Sequence, residues 1–121
     1  MSALDVADRI FAAIEAGDAT TVAEVYADDV AVWHSNDGIE QTKEQNLRVL
    51  DWLVRNTISR QYRNVRRYAI AGGFVQQHDL HVDLPNGRSA DIPACVIAMV
   101  SGDQITRIDE YIDSAAGAAF V

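Results

Sequence analysis

Four long runs of alternating residues fill the second half of the chain, separated only by turn residues, and this pattern constrains the fold more than any other. QYRNVRRYAIA (61–71) stops at Gly72-Gly73, a hairpin dipeptide, and FVQQHDLHVDL (74–84) stops at Pro85-Asn86-Gly87. RSADIPACVIAMV (88–100) stops at Ser101-Gly102-Asp103, and QITRIDEYID (104–113) closes the series. Strand-period runs joined by such short turns predict a meander of four antiparallel strands.

The first half has a different period. Ser2 with Asp5 reads as a capping pair, Val6, Ala7, Ile10, Phe11 and Ile14 follow at helical spacing, and Gly17 ends the segment. Asp18 or Thr20 can cap a second short helix carrying Val22, Val25 and Tyr26, which Ala27-Asp28-Asp29 ends. Val30–His34 reads as a strand. Thr42 and Gln45 open a third helix running to about Asn56, with Leu47, Leu50, Leu53 and Val54 on its buried side. Helices first and a meander second predict an α+β domain, with three helices against one face of a curved antiparallel sheet. The small-residue tail Ser114–Val121 carries no periodic signal and is expected to be loosely ordered.

Length and composition set the limits. At 121 residues the chain fits one domain, residues 1–121, and 49% hydrophobic residues suffice for a core. The net charge of −8 argues against a nucleic-acid partner, because phosphate binding needs clustered Lys and Arg. The one basic cluster, Arg60–Tyr68, reads as a solvated strand face or a partner for carboxylates. Cys95, the single cysteine, lies in an apolar run and reads as a small buried hydrophobe, with no disulfide or multi-cysteine zinc site open to it. The N-terminus lacks the basic and apolar regions of a signal peptide, and no run approaches a membrane span, so a cytoplasmic protein without a membrane partner is expected. No Gly-rich phosphate loop or nucleophile elbow is present. His78 and His81 lie three apart on one strand and point to opposite faces, so they do not chelate; no metal or cofactor is expected.

The order of these elements, together with AIEAGDATTVAEVYADDVAVWH (13–34) and GDQITRIDEYID (102–113), resembles the SnoaL-like polyketide cyclase branch of the nuclear-transport-factor-2-like superfamily. The resemblance covers almost the whole chain. It implies a cone-shaped curved sheet around a pocket, with helices packed on the concave face, and a homodimer formed through the sheet. Ketosteroid isomerases, on the same fold, carry a helix tyrosine, a base and a deep acid; these positions fall on Ile10, His34 and Val96. Limonene-epoxide hydrolases carry Arg-x-Asp, which falls on Gln77, His78 and Asp79, and a second acid that falls on Glu110. Their water-positioning Tyr-x-Asn falls near Trp33 and Ser35, with Asn36 adjacent. Gln77 stands where the hydrolase arginine would be.

Physical chemistry singles out some of the same residues. Glu110 shares a strand face with Ile108 and Ile112, a costly place for a carboxylate unless it is paired or faces a cavity. His34 follows Val30 and Val32 on its face, so its imidazole can look inward from a strand end as a proton carrier, or tie down the Asp37 turn. On the 74–84 run, alternation turns Phe74, His78, Leu80, Val82 and Leu84 inward. The hydrolase resemblance instead turns Gln77, Asp79 and His81 inward and gives the apolar face to a dimer contact. One register excludes the other. The resemblance is followed here, so the expected site has His34, Asp79 and Glu110 as proton-transfer residues. Gln77, His81 and Asn36 are its polar lining, and Trp33, Ile92, Ala94, Ile108 and Ile112 its walls. The function expected is a cofactor-independent isomerase, cyclase, dehydratase or hydrolase acting on a small, largely apolar molecule. The competing expectation is a noncatalytic binding or dimerisation module with Glu110 neutralised by a fixed partner and no cavity reaching it.

Overall fold

A computed structural model of the chain describes residues 1–116. Helix α1 (Ala3–Ala16) opens with the expected capping box, Ser2 and Asp5 bonding each other's backbone, and ends at Gly17 with φ 69°. Arg60 closes that end from outside, its guanidinium donating to the carbonyls of Ile14 and Glu15 at 3.2 Å each. Asp18, rather than Thr20, caps α2 (Ala19–Val25). Strand β1 (Tyr26–His34) follows at once, so Tyr26 and Ala27–Asp29 belong to the strand instead of ending a helix. A short β2 (Glu40–Gln41) leads to α3 (Lys43–Arg55), capped by Thr42 and Gln45. The meander is β3 (Ser59–Ile70), β4 (Gly73–Asp83), β5 (Ser89–Ser101) and β6 (Gln104–Ile112).

The six strands form one curved, unclosed sheet in the order β2-β1-β6-β5-β4-β3, with the helices over its concave face. The α+β cone is therefore as expected. All pairings are antiparallel except β1 with β6, which run parallel because α3 and the meander intervene between them. The β3–β4 turn residues are Ala71 and Gly72; Gly73 already belongs to β4. Its lack of a side chain serves close packing, since a Cβ there would sit 1.9 Å from the Ala98 carbonyl oxygen.

The register of β4 corrects the expectation. Phe74, Gln76, His78 and Val82 are buried on the concave side, with Leu80 half-buried between them. Gln77, Asp79 and His81 stand on the other face. Alternation read this strand correctly, and the alignment lay one residue out of phase. Such a slip exchanges every side chain between the two faces.

The core gathers Val6, Ile10 and Phe11 of α1, Val22 and Val25 of α2, and Phe74, Val96 and Ile105 of the sheet. Helix α3 packs less completely: Leu47, Leu50, Leu53 and Val54 are only half-buried, and Asn46 is its one buried residue. Leu47 and Leu50 pack against the edge of the core, and Leu50 and Leu53 also overhang a cavity. Asn46 anchors the helix, accepting from the Tyr26 hydroxyl at 2.8 Å and donating to Gln41 at 2.9 Å. The Ser114–Ala116 stretch folds back onto the Asp113 carboxylate through two backbone N–H donors. The rest of the tail, from residue 117, lies outside the described residues. Among the described residues no helix is long and apolar enough to cross a membrane.

Candidate functional site

Between α1, α3 and the concave sheet lies a cavity of about 480 Å³, a volume suited to a small molecule. Its walls are apolar, with Phe11, Leu50, Ile92, Ala94, Ile108 and Ile112 among them. Polar side chains also line it, and two groups of them are built around its histidines.

The first lies at the end of β1. His34 and Glu110 are direct register partners across the parallel β1–β6 pair, so both side chains leave the sheet on the concave side. His34 Nε2 lies 3.1 Å from Glu110 Oε1, and the two side chains retain only 18% and 23% exposure. The turn after His34 is clasped to β6: Ser35 N–H donates to the Glu110 carbonyl at 2.9 Å, and the Ile112 N–H donates to Ser35 Oγ at 3.0 Å. The hydrogen bond that His34 donates to Glu110 raises the His34 pKa above the ordinary histidine value, against burial, with further help from the Glu110 and Asp37 charges. The second Glu110 oxygen makes no hydrogen bond among the described residues. Arg107, the neighbour that could have neutralised Glu110, instead pairs with Asp109 and Glu40 on the outer face.

The second group is on β4. His78 is 5% exposed and Gln76 is fully buried. Gln76 Nε2 lies 2.9 Å from His78 Nδ1, while Arg67 Nε donates to Gln76 Oε1 at 2.7 Å. Arg67 is held in turn by Asp8 of α1. Tyr62 closes the group, its ring edge-on to His78 and to Phe11 at centroid distances of 4.6 and 4.8 Å. Burial lowers the His78 pKa and raises that of Tyr62 well above the ordinary phenol value, so both groups are kept uncharged.

The structure thus brings His34, Glu110, Asn36, Ile92, Ala94, Ile108 and Ile112 together around one cavity. It separates the others from it. Trp33 points outward and packs edge-on against Tyr111 at 5.3 Å. Gln77 and Asp79 line a shallow outer groove, where Asp79 accepts from Asn64 Nδ2 at 2.8 Å. His81 sits between Asp91 at 2.8 Å and Asp83 at 3.1 Å. Cys95 is half-buried in the same outer groove instead of the core. No group of three metal-ligating side chains forms among the described residues.

A family model described as a SnoaL-like domain matches residues 7–108. The chain belongs to the SnoaL-like domain family. Solved structures agree on the fold at low identity. A candidate polyketide cyclase from Xanthomonas campestris pv. campestris is 21% identical, with 97% of this chain and 94% of that one covered and a TM-score of 0.82. A candidate polyketide cyclase from Pseudomonas putida KT2440 is 19% identical, covering 100% and 98%, with a TM-score of 0.83. An LEH-like epoxide hydrolase from M. tuberculosis is 13% identical, covering 98% and 87%, with a TM-score of 0.80. No curated protein matches the sequence.

Within this SnoaL-like domain, sequence reasoning missed Gln76, Tyr62 and Arg67, and it set His78 aside. The signal was present for two of them. Gln76 and His78 fall on the apolar beat Phe74, Leu80, Val82, where a polar residue needs a buried partner. Nothing in sequence links Arg67 to Gln76, since only the β3–β4 register places them opposite one another.

Proposed function

We propose that this SnoaL-like domain is a cofactor-independent acid/base enzyme that moves a proton on a small, largely apolar molecule. The observation that carries the reading is the His34–Glu110 pair, 3.1 Å apart and largely sunk in an apolar cavity. Glu110 lines the cavity, and its second oxygen makes no hydrogen bond among the described residues, so it can accept a proton from a bound molecule. The raised His34 pKa keeps a proton within reach of the same carboxylate. Glu110 would take a proton from the substrate, and the His34 imidazolium would return one to it or to a bound water. Isomerisation, cyclisation, dehydration and water addition all need such a step.

The fixed His34–Glu110 contact also fits the competing reading of a binding module, but the cavity that reaches both residues does not. The test is a turnover screen of cyclic ketones and epoxides with wild type and Glu110→Gln. The substitution keeps the shape and removes the base. A rate that falls by roughly a hundredfold or more supports proton transfer by Glu110, the scale general acid–base groups contribute. Equal rates in the two proteins would remove Glu110 from the chemistry.

A further inference from the structure

The cavity contains a second imidazole whose protonation is fixed by its neighbours, and its other nitrogen has no partner among the described residues. Arg67 Nε can only donate, so Gln76 must present its carbonyl oxygen to Arg67 and its amide nitrogen to His78. An amide nitrogen can only donate too. His78 Nδ1 is therefore the acceptor, and its one ring proton is on Nε2. Protonating Nδ1 would set two donors against each other 2.9 Å apart, so the arrangement resists the charged form. Nε2 makes no hydrogen bond among the described residues, although His78 is 5% exposed and lines the cavity.

We propose that His78 is the substrate's hydrogen-bond donor, and that the cavity selects an uncharged, largely apolar molecule bearing a ketone-type oxygen at the His78 end. The proposal deepens the proton-transfer reading and rests on it. The charge pattern favours an uncharged substrate: Arg60 and Arg67 are both engaged with protein groups, and at the other pole of the cavity His34 is already paired with Glu110. A carbonyl oxygen suits a neutral donor, and its hydrogen bond tightens as charge moves onto it during proton removal. When a C–H beside the carbonyl loses its proton to Glu110, the electron pair moves into the new C=C bond and the negative charge onto that oxygen. Return of a proton to carbon reverses the step. The Tyr62 hydroxyl, kept protonated and likewise without a hydrogen bond among the described residues, stands beside His78 as a second donor. Glu110 and His78 lie on strands two apart, so their backbones are separated laterally by roughly 10 Å, and a molecule of two fused rings can bridge them.

The test uses 2-tetralone and its hydrocarbon counterpart tetralin as probes, with binding measured by calorimetry. Wild type should bind the ketone at least tenfold tighter, His78→Leu should bind both alike, and His78→Gln, which keeps a donor, should retain part of the preference. Equal binding by wild type, or an undiminished preference in His78→Leu, overturns the proposal. A nitrogen-15 spectrum of the unmodified protein tests it without any variant: the proton should be on Nε2, and a proton on Nδ1 overturns it. Hydrogen–deuterium exchange beside the ketone tests the proton-transfer reading separately. Ketone preference without exchange leaves His78 in place and removes the proposed chemistry; exchange without preference does the reverse.

Discussion

The two faces of the sheet carry similar polar residues in very different conditions. On the outer face Gln77 is exposed, Asp79 is half-buried, and His81 is covered by two carboxylates that themselves remain exposed, those of Asp91 and Asp83. On the concave face, one residue out of phase, Gln76 is fully buried and His78 nearly so, each with a dedicated partner. Both histidines shift, in opposite directions: His81 upward through its hydrogen bond to Asp91, and His78 downward through burial. Residue type alone therefore does not locate a site. The face does: the concave one sets its polar groups in an apolar cavity, whereas His81 on the outer one is met by exposed carboxylates.

Packing should separate the faces most strongly. Phe74→Ala on the concave face removes a fully buried ring and is expected to cost about 3–5 kcal/mol. Tyr68→Ala on the outer face, where the side chain is largely exposed, should stay within about 0.5 kcal/mol. Denaturant titration of the two variants checks the contrast, and similar losses would break it. The outer face also leaves Met99 and Tyr111 exposed.

Stability against pH gives a smaller but more specific contrast. The folded pKa of His34 is raised, so its contribution is full below the unfolded value near 6.5 and disappears as pH rises through the folded value. The folded pKa of His78 is lowered, so the unfolded chain takes up this proton first, and stability falls as pH drops below about 6.5. Wild type should thus lose its advantage over Glu110→Gln at high pH and lose ground to His78→Gln at low pH. Melting curves across pH 5 to about 8 read both trends, a range that spans the histidine reference value. The smallest effect belongs to Asp91→Asn, which should lower the His81 pKa while leaving melting and cavity binding essentially unchanged.

Much of the architecture was legible because it rests on local rules. The Ser2–Asp5 and Thr42–Gln45 capping boxes and the turns between four alternating runs each declare themselves within a few residues. The pairing of His34 with Glu110 was not legible, because it depends on β1 lying parallel to β6 across 76 positions of chain. The face of β4 was legible from alternation and lost to an alignment one residue out of phase. The leucines of α3 misled in a different way: helical spacing marks an apolar face, but does not say whether that face meets a core or the roof of a cavity.

The most direct test of the account is a histidine titration by NMR in wild type and Glu110→Gln. His34 should titrate above the ordinary value near 6.5 in wild type and fall in the variant, while His81 stays where it was. A His34 titration unchanged by Glu110→Gln would contradict the coupling on which the proposed chemistry stands.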